Sequence, residues 1–480
     1  MDIIPVLNRF VSDIFEAAGD FQEDLSRLDL LEARLKESAN SFLAGILGQI
    51  LEDTDEFLRN APGRDKLYTI QRTRERTLVS SVGDILFSRT QFQSMKDGTY
   101  HFLLDERIGL PKDEHFTEVA EAQILQDAAE GSYRAAAERI SSGSQTVSKT
   151  AVMNKIHRIV EELPLDAPAE KKHCKYLYVE ADEDHIHRQE AGKEAKDGCI
   201  LGKLVYVFEG REAVRKGRNA LINPVYFGGS YAGAEGNSQL WDRVQEYILK
   251  NYDQRSLKCI YISGDGASWI KAGTEHIAKS VFVADRFHLM KYINAAARQM
   301  LDECDEVKGK IYKNIWKDRL KKIQKLFKKM RKSASSLKPI DECETFLTNN
   351  WDAIQRAFHA PGVIGCSAEG HVSHLYSDRM SSRPMAWSET GADRMCRLRC
   401  FVRTNGKGKV IDLVKARRME AMRPLAATGT DGVEISLSAV RKRYTKAQLE
   451  TAAYAEALHA ELSSTLTRKH ISIALHKALY

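Results

Sequence analysis

No window of this 480-residue chain approaches eighteen uninterrupted apolar residues, so no segment reads as a membrane-spanning helix and no membrane partner is expected. The opening Met1-Asp-Ile-Ile-Pro5 lacks a basic stretch followed by an apolar one, so no secretory signal is expected and the expected location is the cytoplasm. Eight cysteines, at 174, 199, 259, 304, 343, 366, 396 and 400, have no paired spacing, which argues against a disulfide framework and predicts reduced, structural thiols. Cys396 and Cys400 stand four apart with no second pair to follow, half of a zinc set at most. A strong charge imbalance is also lacking: the net charge of +6 permits a polyanionic partner without requiring one. With 43% apolar residues the chain can fill the cores of about two to four domains.

Three acid-bearing segments are present instead: Tyr176-Leu-Tyr-Val-Glu-Ala-Asp182-Glu-Asp184, Ile260-Tyr-Ile-Ser-Gly-Asp265-Gly-Ala-Ser-Trp269 and Cys366-Ser-Ala-Glu369-Gly-His371-Val-Ser-His374. The first two place a carboxylate at the end of an apolar run that reads as a buried strand, and the third places one in a predicted helix. Mg2+ is a hard ion that prefers a few carboxylates and substrate phosphate oxygens to thiolate or imidazole cages. Two such ions roughly 4 Å apart serve in-line phosphoryl transfer. Asp182 and Asp184 lie two apart and share a strand face; Asp182, nearer the centre of the apolar run, is the favoured ligand and Asp184 the alternative or co-ligand. Asp265 between Gly264 and Gly266 fits close approach of backbone and phosphate, although an Asp-Gly turn looks the same. Asp285 and His288 follow a further apolar run, where a helix with an Asp cap is the plain reading. His371, His374 and Asp378 share a predicted helix face on which zinc is conceivable.

Apolar periodicity predicts a helical module over 1–68, and Thr77 to Phe92 predicts two strands joined at Gly83-Asp84 within a small β unit, 69–116. Segments 118–130, 132–140 and 148–162 predict three short helices within 117–165. Their proportions suit a helix-turn-helix whose last helix, with Lys149, Lys155 and Arg158, enters a major groove, or else a plain trihelical scaffold. Five short apolar runs follow, at 177–181, 204–208, 224–227, 259–263 and 281–284, with helical segments at 237–252 and 269–277. An antiparallel meander followed by crossover units is the RNase H-like order, so the expected fold is an α/β catalytic core with a five-stranded mixed sheet. Its first part is 172–289 and its last part, with Glu369, is 359–425. Between them, 290–358 reads as an all-helical insertion, and 426–480 as a helical tail. Within 308–332 stand twelve Lys or Arg against one acid, Asp318. Such a cluster, including Lys321, Lys322, Lys325, Lys328 and Lys329, is costly to hold together without an anionic partner.

Taken as an ordered set, Tyr178-Val-Glu-Ala-Asp182, Ser263-Gly-Asp265-Gly-Ala-Ser-Trp-Ile-Lys271, Ala284-Asp285-Arg-Phe-His288 and Ser367-Ala-Glu369-Gly-His371 resemble the ISLre-type bacterial insertion-sequence transposases, allied to the Mutator-like DDE transposases. The resemblance runs from about Arg72 to about Arg403 and includes the Ser381-Ser-Arg-Pro-Met-Ala-Trp387 segment. It implies a transposase that cleaves and joins DNA at the ends of its own element, with Asp182, Asp265 and Glu369 holding Mg2+, or Mn2+ in its place, and Asp285 and His288 supporting the site. Double-stranded DNA, both terminal repeats and target, is the implied partner, bound by a homodimer or higher oligomer at the nucleoid. One departure stands: relatives commonly carry Asp-Gly where this chain has Asp182-Glu183-Asp184, so Asp182 and Asp184 both remain candidates. The rival readings are an RNase H-like nuclease or junction resolvase without strand transfer, and an inactive DNA-binding repressor of the element.

Overall fold

In the computed structural model, which describes residues 3–141, 146–159, 168–189, 198–215, 218–426 and 433–462, the chain divides into two units. One comprises Met1–Ala128, Ser132–Val152 and Ile411–Tyr480; the other comprises Ala129–Gly131 and Met153–Val410.

The first unit begins with helices Ile4–Glu23 and Leu28–Arg59, followed by strands β1 (Tyr68–Ser80), β2 (Gly83–Ser94) and β3 (Tyr100–His101) in one antiparallel sheet. Leu58, Leu78, Ile85, Phe87, Phe92, Leu103 and Leu104 fill its core. The β1–β2 turn falls at Ser81-Val82 rather than at Gly83-Asp84: Gly83 pairs with Ser80 and opens β2, with a positive φ of 122° that favours glycine. Two expected boundaries move. The three helices Glu118–Glu130, Tyr133–Ile140 and Lys149–His157 form no unit of their own, because their apolar faces, largely alanine, are too small to close a separate core. The last helices join the first unit from residue 411 rather than forming a tail from 426. Arg418 donates to Glu121 at 2.8 Å, Arg443 pairs with Asp53 at 2.9 Å, and Val433 enters the core.

The second unit is α/β around a five-stranded mixed sheet. Its strands are β4 (Tyr176–His187), β5 (Cys199–Phe208), β8 (Val225–Gly229), β9 (Cys259–Gly264) and β10 (Ser280–Ala284), in the order β10-β9-β4-β5-β8. β4, β5 and β8 pair antiparallel, while β9 and β10 run parallel to β4. The apolar runs became strands because one face of the sheet is sealed by helices Gly233–Asn251 and Ser268–His276, through Trp241, Val244, Ile248 and Ile270. Helix Glu389–Asn405 packs on β8 and β5. A hairpin that the sequence did not announce, β6 (Gly210–Arg215) with β7 (Arg218–Ile222), separates β5 from β8.

The helical stretch after β10 starts at Arg286, four residues before the expected 290, because Asp285 caps it directly. It continues through Cys304–Trp316, Leu320–Met330, Lys338–Asn349 and Trp351–His359. Ile311, Ile315, Ile323, Phe327, Met330, Leu347 and Ile354 join the same hydrophobic cluster as the sheet, so this stretch is packed into the unit. Among the described residues, no helix is long and apolar enough to cross a membrane.

Candidate metal centre

Strand register brings the acids to one end of the sheet. Glu180 of β4 lies opposite Ser263 of β9, which sets Asp182 level with Asp265 two residues on. Ala284 of β10 lies opposite Gly264, which sets Asp285 beside Asp265. The strands can lie this close because position 264 carries no side chain: a Cβ there would stand 2.7 Å from the Ala181 carbonyl oxygen. Asp265 ends its strand by accepting the Ala267 N–H at 2.8 Å, with Gly266 at φ 99° completing the turn.

Asp285 is both helix cap and site residue. Its carboxylate accepts the Phe287 N–H at 2.9 Å and faces His288 Nε2 at 3.8 Å. One helical turn thereby delivers His288 to Glu369, whose Oε2 is 3.9 Å from the same Nε2. Glu369 occupies the first turn of helix Ala368–Val372, with a largely exposed side chain. Ligand atoms from Asp182, His288 and Glu369 all lie within 4.8 Å of one another, the one such group found among the described residues. His288 thus enters the cluster itself, beyond the supporting role that the resemblance implies.

The electrostatics match that crowding. Burial, and then the carboxylates of Glu369, Asp265 and Asp285, push Asp182 up to about 7 against the pull of its bond from the Glu183 N–H. Burial also raises Asp285, with Glu369 and Asp265 adding to the rise while the Phe287 N–H and His288 pull it down. Neither Asp265 nor Asp184 belongs to that group of three; Asp265 stays close enough to raise Asp182, whereas Asp184 is engaged elsewhere, accepting the Ser381 hydroxyl at 2.8 Å.

Glu180 is a residue that sequence reading passed over. It is 2% exposed, and it accepts the Tyr206 hydroxyl, the Ser367 N–H at 2.7 Å, the Ser367 hydroxyl at 3.0 Å and Arg211 Nη2 at 3.0 Å. The available signal was its spacing, two residues before Asp182 on the same strand face.

The zinc alternatives do not assemble. A π-turn over Ser373–Ser377 breaks the regular helical spacing; His371 is half-buried against Tyr206 and bonded to the Tyr226 hydroxyl at 3.1 Å, while His374 faces solvent and pairs with Asp378 at 3.3 Å. Burial, Arg403 and Arg211 push His371 down to about 4. Cys396 and Cys400 are core thiols, with Cys396 against the Met380 sulfur at 3.9 Å and Cys400 against the Tyr376 hydroxyl at 3.3 Å.

Of the residues expected to meet DNA, Lys321, Lys322, Lys325, Lys328 and Lys329 are exposed opposite buried Ile323, Phe327 and Met330. Lys149 and Arg158 are exposed as well. Lys155 is a correction: at 5% exposure it shares the buried stripe of Val152, Ile156 and Ile159, three and four residues apart, and cannot reach a phosphate from there.

The model of an uncharacterised protein family, UPF0236, matches residues 22–417. The chain is similar to UPF0236 protein TTE0610/TTE0881/TTE1053/TTE2432 of Caldanaerobacter subterraneus subsp. tengcongensis, 32% identical over 415 residues, which cover 86% of this chain and 85% of the relative. It is equally similar to a second protein of that organism, UPF0236 protein TTE0033/TTE0744/TTE0838/TTE0852/TTE1082/TTE1247/TTE1519/TTE1678/TTE1739/TTE1823/TTE2212, at 32% identity over 86% of this chain and 85% of the relative.

Proposed function

The chain belongs to the uncharacterised protein family UPF0236, and from that premise we propose that it is a DNA transposase with an RNase H-like core that cleaves and joins strands at the ends of its own element. The observation that carries the reading is the convergence of Asp182, Asp265, Asp285, His288 and Glu369 at one end of a mixed sheet. The strand order, with a central first strand flanked by an antiparallel meander and two parallel strands, supports the RNase H-like reading. The relatives add a second support: one name joins eleven loci of a single organism, as an element that copies itself would produce.

The donor set fits a hard divalent cation. Asp182 and Glu369 would hold it with His288, and Asp265 stands beside them as the third carboxylate; burial first, and then the neighbouring carboxylates, lift Asp182 to about 7, and a cation relieves that crowding of charge. Bound there, Mg2+, or Mn2+ in its place, supplies the charge that activates an attacking oxygen and stabilises a leaving one. The chemistry is two in-line displacements at one site. Water attacks a phosphodiester at the element's end and releases a 3′-hydroxyl, and that hydroxyl attacks a target phosphodiester and releases a new 3′-end. Asp285 holds the His288 helix in place through its cap. The exposed lysines of Leu320–Met330 grip flanking DNA through phosphates, and the exposed side of Lys149–His157 reads the terminal repeat.

The test is a strand-transfer assay on labelled duplexes carrying the DNA that flanks the gene, with Mg2+ and a target plasmid. Cleavage with joining supports the transposase. Cleavage without joining selects the nuclease or resolvase reading, and binding without chemistry selects the repressor. Inverted repeats around the gene supply the substrate and are themselves expected.

A further inference from the structure

Glu369 reaches the cluster from a short five-residue helix, and apart from His288 at 3.9 Å its largely exposed side chain has no polar partner among the described residues, so the backbone that leads into it must fix where it stands. Two residues before it, Ser367 is held by both its N–H and its hydroxyl on one buried carboxylate oxygen of Glu180, at 2.7 and 3.0 Å. The second oxygen of Glu180 takes Arg211 Nη2 at 3.0 Å, and the same nitrogen reaches the Ser367 hydroxyl at 2.9 Å. The Tyr206 hydroxyl closes the ring, donating to Glu180 from the neighbouring strand and standing 3.2 Å from the Ser367 hydroxyl. Glu180 is also two residues before Asp182 on the same face of β4, so one strand carries both a cluster ligand and the anchor of the opposite one.

We propose that Glu180 is a positioning residue for Glu369: with Arg211 and Tyr206 it clamps Ser367 and so sets the spacing between the Glu369 and Asp182 carboxylates at the value a divalent cation needs. The inference rests on the metal-centre reading of the preceding subsection. Arg211 belongs to the β6–β7 hairpin, so the clamp also ties that hairpin to the geometry of the centre. A clamp of this kind works by pre-organisation: when it is removed, the ligand remains but must be ordered on binding, and outer partners of ligands typically account for about 10–100-fold in metal affinity.

The test is Mn2+ affinity of the full chain, read by electron paramagnetic resonance of free Mn2+ and by calorimetry, for wild type, Glu180→Gln and Ser367→Ala. Glu180→Gln keeps volume but puts an amide against donors, whereas Ser367→Ala removes the hydroxyl without leaving a charge buried, so it decides if the first variant does not fold. Near-UV circular dichroism without metal checks the fold. The expected result is a native spectrum with Mn2+ affinity lowered by ~10–100-fold in Glu180→Gln and lowered in Ser367→Ala. Wild-type binding with unchanged affinity in a folded variant overturns this inference alone. No binding by the wild-type chain overturns the metal-centre reading and this inference with it.

Discussion

Asp182 is a buried carboxyl among three other acids, held up to about 7, while its unfolded counterpart titrates near ~3.9. Below about pH 4 it is neutral in both states and adds no penalty. Between about pH 4 and 7 the unfolded chain gives up its proton while the folded one retains it, so the metal-free protein loses stability as pH rises through that window, by up to ~4 kcal/mol at full effect. Urea denaturation in EDTA at pH 5 and pH 8 should therefore show Asp182→Asn gaining on wild type as pH rises. A gap that does not change with pH would contradict the assignment. The same residue decides a choice that the sequence left open. Because Asp184 is engaged by Ser381 outside the cluster, Asp182→Asn should abolish end cleavage and Asp184→Asn should retain a substantial part of it. Measured turnover with the opposite order would move the ligand to Asp184. Individual acids were legible because Gly264, Gly266 and the flanking apolar runs marked where strands end. Glu180 was not, since a carboxylate buried by tertiary partners looks in sequence like any other acid.

The five sheet strands were readable for a plain reason: each is a buried apolar run, and the helices between them keep 3.6-residue periodicity. The β6–β7 hairpin was invisible because Glu212, Ala213, Val214 and Arg215 face solvent and carry no alternation, while Arg211 turns inward only through its tertiary partners Glu180 and Ser367. The π-turn at Ser373–Ser377 shifted the histidine face in a way that spacing alone could not foretell. Charge on a helix was legible, but its direction was not, and Lys155 turned inward with the apolar stripe. For helix Leu320–Met330 the two faces separate cleanly, which permits an element-scale prediction. Neutralising Lys321, Lys322, Lys325, Lys328 and Lys329 together should leave folding intact, weaken binding to any duplex and flatten its salt dependence, because fewer counterions are released. Substituting Lys149, Asn154 and Arg158 should instead reduce the preference for element ends over random duplex, leaving the salt slope little changed. Affinities on both DNAs at several salt concentrations check the pair, and an exchange of the two phenotypes would reverse the roles. On the buried face of the same helix, Phe327→Ala should cost ~3–5 kcal/mol in denaturation.

Across the whole molecule, one end of a mixed sheet gathers acids from β4, β9 and the edge of β10 with a histidine and a glutamate from the helices that follow. That assembly was legible as an ordered set of motifs well before any single motif was specific, whereas the unit boundaries were not. The C-terminal helices join the first unit through ion pairs more than three hundred residues apart in sequence, such as Arg443 with Asp53, and no local pattern announces such pairings. In the proposed function the carboxylates hold divalent cations and one site both cuts and joins. Single-turnover cleavage and joining of a labelled element end tests it most directly, comparing wild type and Asp265→Asn in Mg2+, in Ca2+ and in excess EDTA. Wild type should show both activities in Mg2+, binding with little chemistry in Ca2+, and neither activity in EDTA, and Asp265→Asn should show neither activity with DNA binding preserved. Cleavage undiminished by EDTA, or by Asp265→Asn, would contradict the proposed function.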